Sequence, residues 1–276
     1  KVMIIAGFHE PDPVLQQHIK LLASLPNVVV LTESVTNLSI PLVISTIDRV
    51  ISTIQPEEVE TYAPELLITF GGAIVSRMIK AFIREHTPHS HWHIDERSTP
   101  PDTYKSMTLH VPMDTRTFFD QLQPAEIKAN SLPSSYAHQW HQREEKATQI
   151  HDNYLKRIPW CDLKAFSMLI PALPAGSRLQ LGNSTPIRYA QLFRYTQVDR
   201  TDANRGTSGI DGCTSTAMGL NIRRDHHADR GRQQFPLRLQ CFMDQKLSPV
   251  ITNHRYPKRG RRHIPLFGRS FRSGRS

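Results

Sequence analysis

Residues 66–84 read LLITFGGAIVSRMIKAFIR, and this stretch decides the fold of the first half of the chain. Its first five residues predict a buried strand, the two glycines a tight turn, and the residues after them an amphipathic helix. The helix repeats apolar residues on one side, at Ile74, Met78, Ile79 and Phe82. A strand that runs through a glycine turn into a helix is the repeating unit of a parallel α/β sheet.

The same alternation extends on both sides of this stretch. The predicted elements are strands at residues 2–6, 27–31 and 91–95 and helices at residues 13–23 and 45–54. Short strands separated by helices indicate parallel pairing with right-handed crossovers. Residues 1–125 are therefore predicted to form a doubly wound α/β domain, which binds ligands at the carboxyl ends of its strands.

The second half of the chain is organised differently. Residues 126–160 are polar and are predicted to be a helical connection, in which residues 143–157 form a solvated connecting helix. Residues 161–219 are predicted to begin a second α/β unit. Its elements are a helix at 163–170, a strand at 178–181 and a helix at 187–193. In residues 220–276 no apolar period persists and Arg, Gln, His and Pro dominate, so this tail is predicted to be disordered.

The formal net charge of +9 is unevenly distributed along the 276 residues. From residue 221 onward twelve Arg and two Lys stand against three Asp, so the tail carries +11 and the rest of the chain −2. A folded nucleic-acid-binding domain is expected to carry its positive charge as a patch or stripe on one face. Charge therefore excludes nucleic acid as a partner of the folded part, and a binder with a basic tail remains the non-enzymatic alternative.

The sequence has neither the long apolar runs of a membrane span nor the cysteine spacing of a disulfide framework. No run of about 18 apolar residues occurs, so no membrane span is predicted. Cys161, Cys213 and Cys241 are far apart and odd in number, which argues against a disulfide framework or a CxxC metal site and favours a reduced, cytoplasmic compartment. The chain begins with Lys1 and an apolar run, as expected of a sequence entered in its middle.

The most specific motif is NRGTSGIDGCTSTAMG at residues 204–219. Its four glycines suit a loop whose backbone approaches a ligand closely before a helix begins. The string resembles the NRG-x-SGIDG-x-x-STA-x-G segment of the thiamine-diphosphate-dependent synthases that make 2-succinyl-5-enolpyruvyl-6-hydroxy-3-cyclohexene-1-carboxylate in menaquinone biosynthesis. Residues 182–188, GNSTPIR, resemble that family's G-N-S-x-x-x-R element, and residues 66–84 resemble its central domain. The resemblance covers residues 1–219.

The resemblance implies a set of residues that hold substrate carboxylates. Ser184, Arg188 and Arg205 fall where the family places such groups, and Arg77 falls where some relatives have a lysine with the same task. The implied substrates, 2-oxoglutarate and isochorismate, each carry two carboxylates. Arginine suits them because its planar fork donates two parallel hydrogen bonds to one carboxylate. Without the motif, Arg188 would be interpreted as a solvated surface group.

The resemblance also implies the cofactor site. Ser208, Gly209, Ile210 and Asp211 fall in the segment that contacts the aminopyrimidine ring of thiamine diphosphate, and Ile210 is the apolar buttress beneath the bent cofactor. The plainer alternatives are a core residue for Ile210 and a helix cap for Asp211. The family's catalytic glutamate lies in a preceding domain, so no catalytic residue is assigned here. The family members are homodimers or larger assemblies.

The family continues with G-D-x-S-F-L-x-D-x-N-A-L, whose Asp and Asn hold the Mg²⁺ (or Mn²⁺) that anchors the diphosphate. This motif is absent from the chain as residues. With suitable codons, however, residues 231–241 read one base later give GDNSFLYDSNA. Residues 255–267 likewise give VIQNEGGGIFRF, which resembles a later element of the family. We therefore predict that the tail from about residue 220 is a frameshifted translation, that no metal ligand is present, and that the chain alone is inactive.

Two other interpretations stay open at the level of sequence. The first is another thiamine-diphosphate enzyme of the acetolactate synthase type, whose smaller 2-oxo acids need fewer arginines. The second concerns His86, His89, His91 and His93, which together imitate a metal cluster. They alternate along a predicted strand and no Cys or carboxylate clearly completes a ligand set, so a structural role is predicted for them.

Overall fold

The computed structural model of the chain describes residues 1–122, 134–205, 212–213 and 215–217, with the backbone of 237–238. Strands and helices alternate through its first half. The strands are β1 (Val2–Ala6), β2 (Val28–Thr32), β3 (Leu66–Phe70), β4 (Ser90–Ile94) and β5 (Leu109–Val111). The helices are α1 (Pro13–Ala23), α2 (Ile47–Ile51), α3 (Val59–Tyr62), α4 (Arg77–Glu85) and α5 (Thr115–Gln121). Single 3-10 turns cover Ser34–Thr36 and Pro56–Glu58.

The first sheet has five parallel strands in the order β2-β1-β3-β4-β5. The chain leaves β1 towards β2 on one side and continues with β3 on the other, so the winding reverses between β1 and β3. Alternate residues of β1 enter different cores: Met3 and Ile5 pack on one face, Ile4 and Ala6 on the other. Burial on both faces explains the almost unbroken apolar runs. The prediction of a doubly wound parallel α/β domain is confirmed.

The double glycine of the opening motif lies at this reversal point. Gly7 follows β1 and Gly72 follows β3, and a Cβ on Gly7 would lie 2.1 Å from the carbonyl oxygen of Gly72. The Gly7 N–H donates to Phe70 O at 2.9 Å, and the Gly72 N–H donates to Phe8 O at 2.8 Å. Gly71 has a φ of 79°, a conformation that favours glycine. The glycines therefore let the two loops touch backbone to backbone.

Helix α6 (Tyr136–Arg157) falls in the segment predicted to be a helical connection. The helical part of the prediction agrees with the structure, but the solvated character predicted for residues 143–157 is wrong at their start, where Arg143, Glu144 and Ala147 are buried. Arg143 is only 7% exposed; its Nε donates to Tyr62 Oη at 3.0 Å and its Nη1 to Thr53 O at 2.9 Å. Because its guanidinium has these partners, Arg143 can be buried despite its charge. The boundary predicted near residue 125 lies outside the described residues.

The second unit contains α7 (Asp162–Leu169), β6 (Ser177–Leu181), α8 (Thr185–Ala190), β7 (Val198–Ala203) and β8 (Leu237–Arg238). Its strands are parallel in the order β7-β6-β8. Its core includes Phe166 and Leu179 together with Val35 and Val75 of the first unit. Beyond residue 217 the structure describes only β8, so the rest of the tail predicted to be disordered and frameshifted lies outside the described residues.

Asn37 joins the two units through its side chain. Its carboxamide oxygen accepts the Thr201 N–H at 2.7 Å, and its Nδ2 donates to Thr201 O at 3.1 Å and to His9 O at 2.9 Å. A φ of 57° turns the backbone of Asn37 into the left-handed region, which asparagine tolerates better than most residues.

Among the described helices, none is both long and apolar enough to cross a bilayer.

Candidate active site

The two motif segments of the second unit meet at the carboxyl ends of β6 and β7. The Asn204 N–H donates to Leu181 O at 3.0 Å, and the Gln180 amide donates to Asn204 Oδ1 at 2.8 Å. Arg205 Nη1 donates to Asn183 Oδ1 at 3.0 Å. Neighbouring parallel strands therefore bring the GNST and NRG segments together, as the motifs require. This edge of a parallel sheet is where ligands bind in such folds.

Ser184 stands beside this contact in an unusual conformation. Its φ of 70° and ψ of −119° are rare for a residue with a side chain, and it immediately precedes α8. Its side chain is exposed. Backbone outliers of this kind persist only where the surrounding structure holds them, and they cluster at ligand-binding sites. The rare backbone conformation of Ser184 is therefore a second feature, independent of the motif, that is typical of a ligand-binding position.

Arg188, on α8, lies close to the first unit. Burial raises the pKa of Asp48, on α2, while the hydrogen bond from Ser76 and the positive charges of Arg188 and Lys80 oppose the rise. Arg188 is itself exposed. An arginine with an exposed guanidinium close to the opposite unit can reach a ligand bound between the two.

Arg77 is the first residue of α4, and its side chain is exposed. Two acidic residues fix the turn that precedes it. Glu33 accepts the N–H groups of Val75 and Ser76 at 2.8 and 2.7 Å. The Ser76 hydroxyl accepts the Ile79 N–H at 3.1 Å and donates to Asp48. The start of α4 is therefore held from two sides.

Lys80, one turn further along α4, completes a group of cations. Its ammonium donates to Ile74 O at 3.0 Å and is half-buried. Burial lowers the pKa of Lys80, the Glu33 carboxyl opposes the change, and Arg205, Arg84 and Arg77 add to the lowering. We call Arg77, Lys80, Arg188 and Arg205 the basic cluster. It draws on both units.

Sequence reasoning missed Lys80 and the two acids beneath the cluster. Glu33 follows β2 directly, so its place at the carboxyl end of a parallel strand was a signal that could have been used. Burial raises the pKa of Glu33 to about 7, against the hydrogen bonds from Val75 and Ser76 that favour the ionised form. Asp48 lies in the first turn of a five-residue helix and no motif marks it.

The residues predicted to contact the cofactor, Ser208, Gly209, Ile210 and Asp211, lie outside the described residues. The structure does describe the helical turn that follows them. The Thr216 N–H donates to Gly212 O at 2.8 Å, and Gly212 has a φ of 77°. The Asn204 amide donates to Thr216 Oγ1 at 3.3 Å. The glycine-rich segment is thus bracketed by two ends that touch each other.

The histidines of the first unit have structural partners. Thr69 Oγ1 lies 2.8 Å from both His91 Nε2 and His93 Nδ1, and His91 Nδ1 lies 2.9 Å from Ser106 Oγ. Both rings line a cavity of about 180 Å³ at the carboxyl ends of β3 and β4. Burial lowers the pKa of His91 to about 4. Over the described part of the chain, no three His, Cys, Asp or Glu side chains form a metal-ligand set.

Comparison with known proteins identifies the chain's relatives. No protein-family model matches it. It is 42% identical over 222 residues to the 2-succinyl-5-enolpyruvyl-6-hydroxy-3-cyclohexene-1-carboxylate synthase of Flavobacterium psychrophilum. It is 37% and 39% identical over 229 residues to the synthases of the same name from Porphyromonas gingivalis and Flavobacterium johnsoniae. Each match covers 80% of the chain but only 39–40% of the relative.

Fold and site define a parallel α/β protein whose basic cluster draws on both units. The relatives make the assignment specific. The chain belongs to the 2-succinyl-5-enolpyruvyl-6-hydroxy-3-cyclohexene-1-carboxylate synthase family. It spans about two fifths of the length of the curated relatives that it matches.

Proposed function

We propose that this chain contributes the substrate-carboxylate site of a transferase that decarboxylates 2-oxoglutarate and adds the succinyl group to isochorismate, a step of menaquinone biosynthesis. The observation that carries the proposal is the basic cluster. Arg205, which the family motifs single out, and Arg77 of the other unit both act electrostatically on Lys80. Arg188, also singled out by the motifs, acts together with Lys80 on Asp48. The names of the relatives give the reaction product.

The charge of the cluster suits the proposed substrates. Each substrate carries two carboxylates, and a pocket that desolvates them must supply fixed positive charge. Arg205 is already oriented by Asn183, so little side-chain entropy is lost when it binds a ligand. Arg77 and Arg188 are exposed and can donate their guanidinium hydrogens to a carboxylate. Smaller 2-oxo acids with one carboxylate would not need so many cations.

Cofactor and assembly are part of the proposal. Ser208, Gly209, Ile210 and Asp211 would contact thiamine diphosphate, which supplies the electron sink for decarboxylation when bound. Mg²⁺ or Mn²⁺ would anchor its diphosphate, through ligands that this chain does not carry as residues. We further propose a homodimer or larger assembly in the cytoplasm, where the free thiols of Cys161 and Cys213 stay reduced. The 276-residue chain alone is proposed to be inactive.

The test uses a full-length enzyme in which the reading frame is restored. Arg188→Ala and Arg205→Ala should each lower kcat/KM about 10- to 100-fold, as expected for one lost charged hydrogen bond. Ile210→Ala should mainly lower kcat, because it loosens the cofactor rather than a carboxylate. Steady-state kinetics with both substrates varied would measure these effects.

Arg157, exposed at the end of α6, provides the matched control. Arg157→Ala should leave kcat/KM unchanged for both substrates. If Arg188→Ala and Arg205→Ala behave like Arg157→Ala, the basic cluster does not bind substrate. A wild-type enzyme that forms no succinyl-cyclohexene product would refute the proposed reaction itself.

A further inference from the structure

Glu33 is a buried acidic residue in contact with the turn that precedes Arg77 and Lys80 on α4. It is 3% exposed and follows β2 directly. Its two oxygens accept the N–H groups of Val75 and Ser76, the last two residues before α4. The first N–H groups of a helix have no partner within the helix, and an acceptor here fixes where the helix begins.

Asp48 secures the same turn from the other side. The Ser76 hydroxyl donates to Asp48, which the positive charge of Arg188 also reaches. Glu33 in turn interacts electrostatically with Lys80. The two acids therefore connect cations of the first unit with a cation of the second.

Four cations close together repel one another, and the positive end of α4 adds to that repulsion. Acidic side chains close to the cluster offset this repulsion. Among the described residues, Glu33 and Asp48 are the acids that interact with Lys80 or Arg188 and also bind the turn before α4. Through this turn the two acids act directly on the end of α4 that carries Arg77 and Lys80.

We propose that Glu33 is a positioning residue of the substrate site: its carboxylate holds the first turn of α4, so that Arg77 and Lys80 keep a fixed position relative to Arg188 and Arg205. Glu33 does not touch the substrate in this role. The inference rests on the proposed function, because it assumes that the basic cluster binds the carboxylates of 2-oxoglutarate.

The test measures 2-oxoglutarate binding to the 276-residue chain, by following amide NMR shifts during a titration. This readout needs neither cofactor nor turnover. Glu33→Ala should raise the Kd about 10-fold, the loss expected when a charged hydrogen-bonding group is removed. Glu33→Gln keeps one acceptor oxygen for the turn but lacks the charge, so it should recover part of the affinity. Glu57→Gln, at an exposed acid of the turn before α3, is the matched control and should bind like wild type.

The outcomes separate positioning from general stability. Partial rescue by Glu33→Gln, with equal folded fractions in thermal unfolding, supports the inference. If Glu33→Ala does not fold, Glu33→Gln decides: weaker binding by a fully folded Glu33→Gln chain supports it, and wild-type binding overturns it. Wild-type affinity in Glu33→Ala, or a wild-type chain that binds no 2-oxoglutarate, also overturns it. The proposed reaction is judged separately, by product formation in the full-length enzyme.

Discussion

At the scale of single residues, burial acts in opposite directions on two titratable groups of the first unit. It raises the pKa of Glu33 to about 7 and lowers the pKa of His91 to about 4. The cause is the same in both cases, because a buried group is less favourable in its charged form. Ionising Glu33 inside the fold therefore costs free energy, and the free energy of unfolding should fall as the pH rises from 4.5 through 7, even though the resulting carboxylate accepts two backbone N–H groups. His91 stabilises the fold above pH 6.5, and its contribution is lost as the pH falls through 4.

The contribution of His91 can be isolated by substitution. His91→Gln keeps a hydrogen-bonding side chain near Thr69 and Ser106 but does not titrate. Between pH 7 and pH 4 the wild-type chain should lose about 2 kcal/mol more free energy of unfolding than His91→Gln. Urea unfolding at a series of pH values measures the difference. His138→Gln, at an exposed ring, should retain the wild-type profile, and an equally steep profile in His91→Gln would contradict the expected role.

The sequence predicted the site residues that lie in recognisable motifs, but not the residues that contact them from other elements. The motifs placed Ser184 and Arg205 on adjacent loops, and the structure brings those loops into contact. Glu33 and Lys80 could not be found in this way, because their roles arise from contacts between segments more than forty residues apart in sequence. A single sequence records which residues are present in a segment. It does not record which buried charges a distant helix will meet.

At the scale of elements, β1 and α1 have the same bounds in prediction and structure. For α1 the reason is local: Asp12 accepts the N–H groups of Val14 and Leu15, and Pro13 occupies the first helical position. Strand β7 was not predicted because its sequence, VDRTDA, is charged. The fold pairs those charges, since Arg178 and Arg200 both bind Asp202. A charged strand of this kind is not found from its hydrophobic pattern, because the residue that neutralises its charge, here Arg178, lies on another strand.

The burial of α6 can be tested by the effect of tryptophan substitutions on the free energy of unfolding. Trp140, on the buried face of α6, is fully buried, whereas Trp160, just beyond the end of the helix, is 51% exposed. Trp140→Ala should lower the free energy of unfolding by about 3–5 kcal/mol, the range for large core truncations. Trp160→Ala should change it by less than about 1 kcal/mol. Equal and small effects in urea unfolding would contradict the packing of α6 into the core.

At the scale of the whole molecule, the chain should not bind thiamine diphosphate tightly. The diphosphate would be held through a divalent metal, and the G-D…N motif that binds that metal is absent from the 276 residues. Calorimetry with the cofactor and excess Mg²⁺ should therefore detect no binding at micromolar concentrations. A full-length enzyme that carries the G-D…N motif is the positive control. Stoichiometric binding by the 276-residue chain would mean that other residues supply the metal site.

The hydrogen bonds of Asn37 to Thr201 also affect whether β7 can pair with a strand of another molecule. Strand β7 lies at one side of the second sheet, and the exposed backbone of such a strand is a template on which another chain can pair. The Asn37 carboxamide occupies both the N–H and the C=O of Thr201, in the manner of a peptide group from a neighbouring strand. One polar side chain thereby closes the middle of β7 to intermolecular strand pairing, and so protects the protein from aggregating through that edge.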